Sequence, residues 1–236
     1  EDAVRSRKLV RHTHYCNQGE SVNWQIFPGK LLSVVAYNED RSESIDLREY
    51  IVDDRVIYNC PRGNWRIVQY ISLPDNDGNR PNILSRSSSD ACIKAAYAIL
   101  ADVLDGYMGT TVTHLYYSGL AFKAINRHDW SDDFNEVFES RFGFDPAPYY
   151  PYLYTPDSNN APRYKALFSD CRARMLRDGY IAAAENFAKE NGLSLIGTLS
   201  ESKSTQCSPI MGDAMLNNTA TPGAVLDRGY LYGINS

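Results

Sequence analysis

The hydrophobic period of this chain changes once, near residue 88, and that change restricts it to folds joining a β-rich part to an α/β part. Upstream, Leu31-Leu-Ser-Val-Val-Ala-Tyr37, Arg55-Val-Ile-Tyr58 and Trp65-Arg-Ile-Val-Gln-Tyr-Ile71 are β-branched and apolar, the last with strand alternation. Cys60-Pro-Arg-Gly63 separates two of these runs as a turn, by its Pro and Gly. The pattern predicts a small antiparallel sheet or sandwich over residues 20–74. The polar run Asp75-Asn-Asp-Gly-Asn-Arg-Pro81 reads as a boundary loop.

Downstream the period is helical. Ile93, Ala96, Tyr97, Leu100, Val103 and Leu104 share one face, with Ser89 or Asp90 as N-cap and Gly106 near the end. Val112-Thr-His-Leu-Tyr-Tyr117 reads as a strand. Ser131 is placed to cap a second helix carrying Phe134, Val137, Phe138 and Phe142 at core spacing, with Gly143 as its stop. A long third helix carries Tyr164, Leu167, Phe168, Cys171, Met175, Ile181, Ala184, Phe187 and Ala188 and ends at Gly192. Leu193-Ser-Leu-Ile-Gly-Thr-Leu199 is the next strand, and Tyr230-Leu-Tyr232 could be another. Helices alternating with short apolar strands indicate parallel α/β architecture over residues 82–236. The strands are too few to close an eight-stranded barrel. Both ends read as cut, residues 1–19 resembling the tail of a helix and a linker.

Composition narrows the function. The 236 residues are 43% hydrophobic and 22% charged, with a net charge of −5 and no basic run, which argues against nucleic acid as a partner. No segment is apolar for long enough to span a membrane. Seventeen Tyr and three Trp suit sugar stacking, and equally suit cores. Cys16, Cys60, Cys92, Cys171 and Cys207 lie far apart without zinc or redox spacing, and Cys92 and Cys171 fall on apolar helix faces as free thiols.

Glu201 follows a strand that itself follows a long helix. In a (β/α)8 barrel chemistry sits where strands end, so Glu201 stands where a catalytic acid would. A carboxylate there could act as general acid or base on a glycosidic oxygen, with a second carboxylate across the substrate. Asp213, in the same loop, could be that partner, a sugar-hydroxyl acceptor, a calcium ligand or a helix N-cap. Asp129 is a further candidate. Trp130 could stack on a sugar with His128 beside it, or serve as a hydrophobic staple. Tyr116-Tyr117-Ser118 ends a strand and could line a pocket, with Tyr117 as the sugar-contact candidate. Tyr149-Tyr-Pro-Tyr-Leu-Tyr154, kept extended by its prolines, reads as a sugar platform or as a packed crossover loop, with packing favoured for most of its tyrosines. His12 and His14 have a spacing that can ligate metal from a strand, without supporting Cys or carboxylate. No cofactor or metal is called for; a structural or catalytic calcium is not shown by the sequence. Asn217-Asn-Thr219 fits a glycosylation sequon.

In their shared order these pieces resemble the central part of the large bacterial α-L-rhamnosidase-like glycoside hydrolases with a (β/α)8 catalytic barrel. Residues 1–10 are similar to that family's Pro-Glu-Asp-Ala-Met-Arg-Lys-Leu helix. Residues 31–71 resemble its inserted β-rich segment, including Pro61-Arg-Gly-Asn-Trp65-Arg-Ile67. Trp130-Ser-Asp-Asp-Phe134 and Phe142-Gly-Phe-Asp145 resemble its Trp-Thr-x-x-Phe and Phe-Gly-Tyr-Asp motifs. Asn191-Gly-Leu-Ser-Leu-Ile-Gly-Thr198 is similar to its His-Gly-Leu-x-Leu-Thr-Gly-His strand, with Glu201 following. The resemblance implies a partial TIM barrel with an inserted β-rich subdomain, cleavage of α-L-rhamnosides in plant or bacterial polysaccharide or oligosaccharide, a periplasmic or extracellular setting, and a larger parent chain as partner. Two departures stand out. Ser118-Gly-Leu-Ala121 replaces an acidic triplet, and Gly197-Thr198 replaces Gly-His. Loss of one carboxylate leaves open a non-catalytic carbohydrate-binding relative.

Overall fold

The computed structural model describes residues 4–38, 43–75, 80–120, 122, 128–154, 160–199, 216 and 223–224. In chain order its elements are β1 (Arg7–Cys16), β2 (Ser21–Gln25), β3 (Lys30–Asn38), β4 (Ser44–Asp46), β5 (Ile51–Val52), β6 (Arg55–Asn59), β7 (Trp65–Pro74), α1 (Arg86–Val103), β8 (His114–Leu120), β9 (His128–Trp130), α2 (Phe134–Phe142), α3 (Ala161–Leu176), α4 (Ala182–Glu190), β10 (Ser194–Leu199) and β11 (Gly223–Ala224). They divide into two compact units. One holds Arg7–Asp75 and Trp130–Phe168; the other holds Glu1–Ser6, Asn76–Asp129 and Ser169–Ser236.

The β-rich unit is built on a five-stranded sheet, β4-β3-β7-β1-β9, antiparallel where β1, β7, β3 and β4 pair. Directly opposed residues share a face of such a sheet. One face carries His14, Ile67 and Ala36, and packs on a second sheet, β2-β6-β5, through Val22, Val56 and Tyr58. Buried Gln69 holds that packing in place: its Oε1 accepts from the Phe27 N–H at 3.1 Å, and its Nε2 donates to the Gln25 carbonyl at 3.0 Å. A disulfide joins Cys16 at the end of β1 to Cys60 after β6. The other face takes the segment after β9. The Ser33 hydroxyl donates to the Ala147 carbonyl at 2.5 Å, and the Asn135 amide donates to the Leu32 carbonyl at 2.7 Å. Trp130, Phe134, Phe138, Tyr150 and Phe168 form an aromatic core there, all essentially without solvent contact.

Several expectations change. Residues 7–16 form a strand, not a helix tail, because Val10, His12, His14 and Cys16 alternate with Arg11, Thr13 and Tyr15. The β-rich unit also recruits residues 130–168, which the sequence assigned to the α/β part. Residues 147–154 form a 3-10 helix rather than an extended crossover. Pro148 and Pro151 sit three apart, one 3-10 turn, and their fixed φ suits that helix. Tyr149 and Tyr152, also three apart, both stack on Tyr164, at 4.2 and 4.8 Å between ring centres.

In the second unit, Ser85 caps α1 by accepting from the Ser88 N–H; neither Ser89 nor Asp90 is the cap. α1 packs through Ile93 and Tyr97. Ile93 is buried, whereas Leu100 and Val103, expected in the core, are 48% and 71% exposed. The long third helix is continuous in sequence but takes a π turn at Arg177–Ile181 between α3 and α4. Gly179 there lies against the chain at Ile83, whose carbonyl would be 2.8 Å from an added Cβ. The sheet of this unit is β11-β10-β8, and both pairings are parallel. The protein is thus a mixed α/β chain with antiparallel sheets beside this parallel one, and no closed barrel occurs among the described residues. No described helix is long and apolar enough to cross a membrane.

Candidate active site

The parallel pair β8–β10 organises the candidate site. Its register runs from Ser194 opposite His114 to Gly197 opposite Tyr117, so alternate residues face opposite ways. Leu115, Tyr117 and Leu195 turn into the core formed with Ile93, Ile181 and Ala184. Tyr117 is only 5% exposed. Burial pushes its phenol pKa up, and its hydroxyl has no hydrogen-bond partner among the described residues. Its ring lies flush on Gly197, where an added Cβ would come within 2.3 Å of it. A side chain at 197 would therefore displace Tyr117.

The opposite face of the pair is open. His114, Tyr116, Ser118 and Ser194 are exposed, and His114 Nδ1 shares a 2.7 Å hydrogen bond with the Thr113 hydroxyl. An aromatic ring flanked by hydroxyls and an imidazole can stack on and hydrogen-bond a polar ring. Parallel pairing brings the C-terminal ends of both strands, Leu120 and Leu199, to one edge. In parallel α/β folds that edge is where ligands bind. The sequence continues from Leu199 to Glu201 within two residues.

Glu201 and Asp213 lie outside the described residues, as do Cys207, the Asn217 sequon and the Tyr230–Tyr232 segment. Asp129 is buried in β9, 6% exposed, in the α/β unit. His128 begins the same strand. Trp130 is fully buried in the β-rich unit, 4.3 Å from the Phe134 ring centre, 5.7 Å from Tyr150 and 6.1 Å from Phe168. Of the Tyr116-Tyr117-Ser118 strand end, sequence reading singled out Tyr117; the structure puts Tyr116 on the open face instead. The alternation of His114-Leu-Tyr-Tyr-Ser118 carried that signal. His12 and His14 meet rings instead: His12 stacks nearly parallel on Phe27 at 3.7 Å, and His14 lies tilted 5.4 Å from Trp24. No cluster able to hold a metal ion occurs among the described residues.

The motif Phe142-Gly-Phe-Asp145 has a local structural role. Gly143, at φ +77°, ends α2 in the left-handed conformation, with its N–H bonded to the Glu139 carbonyl. Asp145 accepts from the Ala147 N–H at 2.9 Å and pairs with Arg48, which also grips Asp46. Phe142 and Phe144 both pack on Phe138. Ser131 does not cap α2; its hydroxyl bonds Asp133, the residue preceding the helix.

No protein-family model matches this chain, and no curated protein matches it. Among solved structures it is similar to a rhamnosidase from Novosphingobium sp. PP1Y, with a TM-score of 0.56 and 18% identity over 80% of this chain. The chain spans 19% of the length of that protein. At this identity the likeness is one of fold alone.

Proposed function

We propose that this chain is part of a glycoside hydrolase that cleaves α-L-rhamnosides in plant or bacterial polysaccharide or oligosaccharide. The observation that carries the reading is the fold likeness to a rhamnosidase, together with the order of sequence motifs around β8, β9 and β10. Glu201 acts as acid/base, protonating the glycosidic oxygen, while Asp213 or Asp129 supplies the second carboxylate. Of the sugar-contact candidates of the sequence, Tyr117 and Trp130 are each buried in the core of their own unit, and His128 begins β9. The exposure of Tyr116 beside Ser118 makes it the stronger stacking candidate. The remainder of a larger parent chain completes the site. The Cys16–Cys60 bond supports a periplasmic or extracellular setting, since disulfides persist in oxidising compartments.

A second reading, a non-catalytic carbohydrate-binding relative, is favoured by Ser118-Gly-Leu-Ala121, which offers no carboxylate. Glu201→Gln separates the two. The hydrolase loses turnover of an aryl α-L-rhamnoside by about 10²–10⁴-fold and keeps its affinity for the sugar. The binder shows affinity and no turnover in either form.

A further inference from the structure

On the sheet face that takes the 3-10 segment, Arg11, Thr13 and Tyr15 project from β1 and are exposed, Tyr15 at 66%. Tyr15 stands directly opposite Arg66 on β7, and Arg66 directly opposite Tyr37 on β3, so aromatic, cation and aromatic form one row. The Arg66 guanidinium lies 5.3 Å from the Tyr15 ring centre, and that of Arg11 lies 4.4 Å from the ring centre of Tyr154. Four residues of strand separate Tyr15 from Arg11, about 13 Å.

These two cations differ from their neighbours. In the same unit Arg7 pairs with Asp132 at 2.6 Å, Lys8 with Asp75 at 3.7 Å and Arg48 with Asp46 at 2.5 Å. Among the described residues neither Arg11 nor Arg66 has a carboxylate partner, and the Arg66 Nε is buried without any hydrogen-bond partner. A guanidinium lying over an aromatic ring keeps its in-plane N–H donors available for a bidentate acceptor.

We propose that this face is a binding platform for an acidic oligosaccharide, distinct from the open face of β8 and β10. A pyranose ring lies on Tyr15, and sugar carboxylates accept from Arg66 and Arg11. A neutral glycan would leave both guanidinium groups unmatched. The inference shares with the proposed function the expectation of a saccharide ligand, and does not depend on hydrolysis.

The test is calorimetric titration of the 236-residue chain with a galacturonic acid oligomer and with a neutral glucose oligomer of equal length. The platform predicts binding of the acidic oligomer about tenfold or more tighter than the neutral one. Tyr15→Ala and Arg66→Met each weaken it by about tenfold, the loss of one stacking or charge-assisted contact. Arg11→Ala serves in place of Arg66→Met if the latter misfolds. Glu201→Gln leaves this binding unchanged. Equal affinity for the two oligomers, no binding by the unaltered chain, or an unchanged affinity in Tyr15→Ala overturns the inference. Tyr15-dependent acidic binding, with no hydrolysis of a rhamnoside by the complete parent protein, defeats the proposed function and leaves the platform standing.

Discussion

Gly29 sits at the entry to β3 with φ +123°, and its α-carbon lies flat against β7. A Cβ there would stand 2.5 Å from Leu73, 2.6 Å from Ile71 and 2.8 Å from the Ser72 carbonyl. All three neighbours belong to β7, and the Ser72 carbonyl is backbone, so side-chain movement alone cannot relieve the clash. Gly29→Ala is predicted to cost about 3 kcal/mol, by overpacking added to a disfavoured φ. An unchanged denaturation midpoint would show that the turn is not held against β7. His12 gives a pH signature. Burial against Phe27 lowers its pKa, so between the unfolded value of about 6.5 and the lower folded value the unfolded chain binds more protons. The stabilisation is fully present above about pH 6.5 and is lost as pH falls through the folded pKa. His12→Phe keeps the stack and should flatten stability between pH 7 and 5 relative to the unaltered chain. Equal slopes in the two proteins would contradict this. Little of this was legible beforehand. His12 and His14 read as a metal pair because their ring partners, Phe27 and Trp24, are brought in only by a different strand and its exit.

At the level of elements, the Cys16–Cys60 bond ties β1 to the turn after β6, and so one sheet of the β-rich unit to the other. Closing a span of 44 residues removes about 4 kcal/mol of chain entropy from the unfolded state. Replacing both cysteines by Ser is predicted to lower stability by roughly that amount in non-reducing buffer, and to abolish the effect of added reductant. A double variant as stable as the parent would refute the assignment. The elements that sequence read best, β3, β6, β7 and β10, bury a continuous or alternating apolar run and need no partner information. β1 was missed because its outward face carries Arg11, Thr13 and Tyr15, so that too little apolar signal remained. The 3-10 segment was missed because Pro suits both extended and 3-10 backbone, and only the capping by Asp145 and the stacking on Tyr164 decide between them. The far half of α1 misled for the opposite reason. Its Leu100 and Val103 are periodic but exposed.

For the whole molecule, periodicity foresaw a β-rich part beside a parallel α/β part, and the boundary loop after residue 74 was read from its polarity. The return of residues 130–168 to the β-rich unit was not legible, since it depends on Trp130 and Phe134 finding Phe168 and Tyr150 across the chain. The candidate site was legible in part. The strand end at Leu199 was foreseen, whereas β8 runs on to Leu120, past the foreseen end at Tyr117. The alternation from His114 to Ser118 sets Tyr116 and Tyr117 on opposite faces, and the packing of Tyr117 on Gly197 shows which of them is buried. Catalysis by a carboxylate at this edge requires that a rhamnosyl ring bind there. The most direct measurement is a crystal structure of the chain soaked with a rhamnose-like iminosugar, a cationic mimic of the oxocarbenium-like transition state. The account predicts the ring at the C-terminal ends of β8 and β10, with the Glu201 carboxyl within hydrogen-bond distance. An iminosugar bound elsewhere, or bound at this edge with Glu201 directed away from it, would contradict the account.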